Sequence, residues 1–150
     1  MKTIEADPVV VALEGQAACY ARLAKLAEVQ HEFVQQGQIE QLLEILEKRR
    51  EVLGEIGRFE EVIAAEKERW PAFLAGLDSA DRARVDASVH ETRRLLEEIT
   101  TADRNDALVL QQRKLNLGRQ INQASAAKQI NRNYAAAAYG PRQARMDVSR

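Results

Sequence analysis

The sequence predicts an all-α fold, an antiparallel three-helix bundle or coiled coil with a long third helix that overhangs at its C-terminal end. Three observations carry this. Of the 150 residues, 45% are apolar and 30% charged, and Ala, Leu, Glu, Gln, Arg and Lys dominate over β-branched and aromatic types, so local propensity favours helix almost throughout. Apolar residues recur in steps of three and four. The 3 prolines and 7 glycines are few and scattered, which leaves long uninterrupted stretches. The length suits one ordinary domain, expected as a helical bundle over residues 1–134 followed by a flexible C-terminal tail over 135–150.

The first helix is expected after Pro8, from Val9 to about Gln36, with Val10, Leu13, Ala17, Tyr20, Ala24, Ala27, His31 and Val34 on its inner face. Gly37 then ends it as a left-handed cap. The second helix begins near Gln38 and repeats Ile39, Leu42, Leu46, Leu53, Ile56 and Ile63 along one stripe, with Arg49 and Glu60 in its polar heptad positions. Gly54 and Gly57 weaken its middle by about 1 kcal/mol each relative to Ala, so it depends on tertiary contacts.

Trp70-Pro71 breaks the pattern, because proline disfavours helical geometry in the residue before it. The connection from Pro71 to Asp78 brings Phe73, Leu74 and Leu77 to cap the bundle end, with Trp70 plugged against Phe73. Asp78 or Ser79 caps the third helix, and Asp81 complements its positive end. That helix meets only Gly118 before Pro141 and is expected from about Ser79 to Tyr134; the run Ala135 to Ala138 either extends it or links it to the tail.

At about 1.5 Å per residue the three helices would measure roughly 40, 50 and 80 Å, so the last outruns its neighbours. It either bends back near Gly118 or projects. At 100° per residue, Val85, Val89, Leu96, Ile99, Leu110, Leu117 and Ile121 share one face, assigned to the bundle. From Leu108 onward a second stripe forms almost opposite, from Leu108, Leu115, Ala126 and Ile130 with Tyr134 at its border. Such a stripe is either a dimer or intramolecular packing face, or a docking surface for another protein's amphipathic segment.

Charge divides along the chain. Met1 to Asp103 carries 13 basic and 21 acidic side chains, whereas Arg104 to Arg150 carries 9 and 2. A basic third of this kind suits nucleic acid, a membrane surface or an acidic protein partner. The single cysteine, Cys19, excludes an intramolecular disulfide and suits a reducing compartment, where it reads as a small packed residue. The apolar run Val9 to Leu13 is too short for a signal-peptide core, and no stretch approaches the roughly 18 apolar residues of a membrane span, so a cytoplasmic location without membrane insertion is expected.

Chemistry finds little footing. His31 and His90 each open a His-Glu pair, but Gln35 and Arg94 stand where a zinc protease needs its second histidine. Glu28 and His31 make one Glu-x-x-His step of a di-iron bundle, and Ala87 stands where its counterpart before His90 would be. No glycine-rich phosphate loop is present. The expectation is therefore no enzyme, no cofactor, no metal and no small-molecule substrate. The run Glu47-Lys48-Arg49-Arg50-Glu51 reads as a solvated face with local ion pairs.

The order of these features resembles the FlgN family of flagellar export chaperones. The resemblance rests on the first amphipathic helix, on Leu42-Leu43-x-x-Leu46-x-x-Arg49-Arg50-x-x-Leu53 in the second, on Glu98-Ile99-x-x-x-Asp103-x-Asn105-x-x-Leu108 in the long final helix, and on Tyr139-Gly140 near the C-terminus. It implies a cytoplasmic chaperone that binds C-terminal segments of hook-filament junction proteins, keeps them unassembled and delivers them to the type III export gate. The final helix would hold the segment, and Tyr139, or Tyr134, would match the family's gate-engaging tyrosine. The expected partner-binding residues are Leu108, Leu115, Ile130, Tyr134 and Tyr139. The rival readings are a structural coiled-coil homodimer, a regulatory adaptor, and, ranked behind them, a nucleic-acid-binding protein using the basic third.

Overall fold

The computed structural model describes residues 7–139, with side chains through residue 137. All regular structure among them is helical: α1 (Pro8–Gln36), α2 (Ile39–Ala64), a 3₁₀ turn (Lys67–Arg69), α3 (Trp70–Ala75) and α4 (Ser79–Tyr139). The chain divides into two compact units, Met1–Leu108 and Val109–Arg150. No helix among the described residues is long and apolar enough to cross a membrane.

Local chemistry sets the boundaries in the first unit. The Asp7 side chain accepts from the Val9 N–H at 2.8 Å, and Pro8 occupies the first turn, where its missing N–H costs nothing. Gly37 ends α1 at φ 69° and ψ 26°, with its own N–H on the Val34 carbonyl and the next N–H on that of Phe33. Asp78 caps α4 by accepting from the Asp81 N–H at 2.7 Å.

Pro71 does not leave the connection irregular; it opens the short helix α3, because a fixed φ suits a first helical turn. The long helix is therefore the fourth helix. Trp70 and Phe73 stack with centroids 5.2 Å apart, and with Leu74 and Leu77 they cover a cluster of Val9, Val10, Leu13, Ile63 and Val85.

Side-chain pairs give the directions. Gln16 with Glu60, Arg22 with Glu55 and Gln30 with Arg49 run α1 and α2 antiparallel, whereas Glu14 with Arg84 and His31 with Asp106 run α1 and the first part of α4 the same way. A second cluster of Cys19, Leu23, Val52, Ile56 and Ile99 fills the middle.

Two of the stripes read from the sequence are corrected. In α2 the buried residues are Leu42, Ile45, Val52, Ile56 and Ile63, while Ile39, Leu46 and Leu53 are exposed. Alternating steps of three and four carry the seam through Ile45, Arg49 and Val52, and the exposed leucines sit one residue out of register. In α4 the seam passes through Val85, Ser88, Leu95, Ile99 and Asp106, while Leu96, Leu110, Leu117 and Ile121 are exposed.

The second unit is simpler. Residues 109–139 are helical, and no side chain over residues 109–137 is buried. They carry Arg113, Lys114, Arg119, Lys128 and Arg132 and no carboxylate.

Candidate partner-binding surface

In the first unit, polar groups replace apolar ones where α1 and α2 meet at the Gly37 end. Arg49 lies in the α2 seam with its side chain 14% exposed, and its guanidinium donates to both oxygens of Asp103 at 2.7 and 2.8 Å and to the Gln30 amide oxygen at 2.6 Å. Asp106, 2% exposed, accepts from the Gln30 Nε2 at 3.0 Å and lies 2.7 Å from the His31 Nδ1. The Asp103 carboxylate beside it holds the Arg49 guanidinium above its ordinary value, with a further contribution from Asp106.

This layer corrects the reading of Glu47 to Glu51 as a solvated face: Arg49 turns inward, while Arg50 and Glu47 stay at the surface as an i,i+3 pair. It also gives His31 a carboxylate partner on α4. Among the described residues no group of three or more His, Cys, Asp and Glu side chains is arranged to hold a metal ion.

Every buried side-chain nitrogen and oxygen among the described residues has a partner. A fully satisfied layer of this kind penalises any axial slip of the three helices, since one turn of displacement would strand a buried charge. It holds the register of α4 up to Asp106, two residues before Leu108.

Cys19 packs in the central cluster, where burial first and the neighbouring Glu55 second push its thiol up. A thiol so placed is a poor nucleophile.

Four of the five residues expected to contact a partner are exposed: Leu108 by 67%, Leu115 by 51%, Ile130 by 53% and Tyr134 by 73%. At 100° per residue Leu115 and Ile130 of the second unit fall on one face of its helix, with Tyr134 at the edge, while Leu108 is the last residue of the first unit. Tyr139 is the last residue of α4, and its side chain lies outside the described residues, as do residues 140–150 of the expected tail.

Around that face the polar groups are mostly amides, Gln111, Gln112, Asn122, Gln129 and Asn133, with Arg119 the one cation in the stripe. The opposite face, with Leu110, Leu117 and Ile121, is flanked by Arg113, Lys114, Lys128 and Arg132. A shallow depression lined by Leu110, Lys114, Leu115, Gly118, Arg119 and Asn122 lies between the two faces, and an added Cβ at Gly118 would meet nothing within 4 Å. The arrangement can hold an extended or helical segment through apolar anchors and amide hydrogen bonds.

Sequence reasoning missed the polar layer and a further exposed strip on α2. The signal for the layer was present. Asp106 continues the three-and-four spacing of Leu95 and Ile99, and a carboxylate at a seam position requires a donor from a facing helix. Comparison with family models, with curated proteins and with solved structures found no match.

Proposed function

We propose that the chain is a non-enzymatic flagellar export chaperone of the FlgN type. It works in the cytoplasm, binds C-terminal segments of hook-filament junction proteins, keeps them unassembled and brings them to the export gate. The supporting observation is the exposure of Leu108, Leu115, Ile130 and Tyr134 in a stretch none of whose side chains is buried.

The mechanism is binding thermodynamics. A junction segment that is disordered alone must pay its ordering entropy when it docks, and covering leucines and an isoleucine offsets part of this at about 25 cal/mol per Å² of apolar area. A few half-exposed anchors give about 1 kcal/mol each, which suits a complex that holds and then releases. The five cations of residues 109–139, with no carboxylate among them, favour a segment that carries acids.

The test is titration of the full chain with C-terminal peptides of junction proteins, followed by calorimetry. Saturable binding that Leu108→Glu and Leu115→Glu each weaken by about tenfold supports the proposal. Absence of binding to all such peptides rejects it. Binding to DNA with a steep salt dependence would instead favour the nucleic-acid reading.

A further inference from the structure

The α2 helix has an apolar strip that its own unit does not cover. Ile39, Leu43, Leu46 and Leu53 are 58%, 60%, 44% and 50% exposed, on a flank of the helix rotated by about 100° from the Ile45 and Val52 seam. Arg50 and Gly57 continue the same strip, so its members, residues 39, 43, 46, 50, 53 and 57, alternate steps of four and three. That spacing is the one by which a helix meets another helix along its length.

Two glycines belong to this region. Gly54 and Gly57 lie inside a helix, where glycine is the costliest residue after proline, and an added Cβ at either meets nothing within 4 Å. Packing inside the unit therefore does not require them. A glycine at an exposed contact position leaves a hole into which a large side chain from outside can fit.

We infer that this strip is the interface of a reversible homodimer, in which α2 of a second copy lies antiparallel on it. A two-fold axis beside Lys48 sets Ile39 over the second copy's Gly57, Leu43 against its Leu53, and Leu46 against the stem of its Arg50. The same operation places Glu40 near the second copy's Arg58, and the pairing occurs twice because an isologous contact repeats itself. The strip is thus complementary to itself in both shape and charge. A parallel arrangement is not: it would stack Arg50 on Arg50 and set Gly57 against Gly57, so that like charges and empty positions meet.

One helix pair buries less than the roughly 1,600 Å² of a standard interface, so the dimer forms and dissociates in the micromolar range. The interface uses no residue of the 108–134 stripe.

Sedimentation velocity on the full chain over about 1 to 100 μM tests this. The expected result is a concentration-dependent monomer and dimer mixture. Leu43→Glu should leave a monomer of unchanged helix content. Glu40→Arg alone and Arg58→Glu alone should each weaken the dimer by about tenfold, and the two together should restore most of it. Gly57→Gln separates this reading from a merely structural one, because it should raise the melting temperature of the monomer while weakening the dimer. A chain monomeric throughout the range overturns the inference. So does a dimer indifferent to Leu43→Glu but lost on Leu115→Glu, or a charge pair that fails to rescue.

Discussion

Arg49 offers the sharpest test of the polar layer. Truncation to Ala removes three hydrogen bonds, two to Asp103 and one to the Gln30 oxygen. Asp103 is 38% exposed and rehydrates, so its loss amounts to about 1 kcal/mol or less. Gln30 is 7% exposed and cannot turn to water, which leaves its oxygen without a donor at about 1–3 kcal/mol. The buried Asp106 loses its neighbouring cation as well.

The expected destabilisation is about 3 kcal/mol for Arg49→Ala, and about 1 to 2 kcal/mol for Asp103→Ala, after which the arginine can swing its head into solvent. Arg49→Met keeps the apolar stem and should recover only about 1 kcal/mol of the loss. Urea titration followed by Trp70 fluorescence reads this well, because Trp70 stacks on Phe73 at the other end of the same unit. A shift of the Trp70 transition means the layer and the plug unfold together. A cost for Arg49→Ala below about 1 kcal/mol, or equal to that of Asp103→Ala, would refute the argument that Gln30 carries the difference.

Two further outcomes are expected. Gly118→Ala should stabilise the helix of residues 109–139 by about 1 kcal/mol, seen as slower amide hydrogen exchange there, since the added methyl meets no neighbour. Lys67→Ala should weaken the protein at neutral pH but not in acid. The Lys67 ammonium first, and the Gln16 amide second, hold the Glu60 carboxyl below its usual range. A carboxyl lowered by folding stabilises above its unfolded value of about 4.3 and loses that contribution as pH falls through the folded value. The gap between Lys67→Ala and the parent chain should therefore close as the pH drops through this window. A gap constant with pH would show that Lys67 acts through packing alone.

Helix boundaries were the most legible feature of the chain. Asp7, Pro8, Gly37 and Asp78 act locally, through one hydrogen bond or one dihedral angle, so their effects can be read without a fold. The Trp70 and Phe73 stack was legible for the same reason, being three residues apart. The burial stripes were less so. Leu46 and Ile45 are both excellent core residues, and only the facing helix decides which of them turns inward. Near the candidate site, Arg49 stood both in a polar heptad position of the α2 stripe and in the charged run Glu47 to Glu51, and the run's alternating sign favoured a solvated face for it. Its partner Asp103 lies 54 residues away, and a pairing at that distance leaves no local trace. The second stripe of Leu108, Leu115, Ile130 and Tyr134 was legible from its spacing, but the exposure of the first face at Leu110, Leu117 and Ile121 was not, because periodicity shows that a face is apolar and not whether another helix reaches it.

The open face of residues 109–137 has a consequence for any mutational scan. Side chains none of which is buried contribute little to folding beyond their helix preference. Substitutions at Leu115 and Ile130 will therefore leave the melting of the Trp70 unit almost untouched. Phenotypes there sort cleanly from those at Val10, Val34 or Val85, where every change first asks whether the protein still folds.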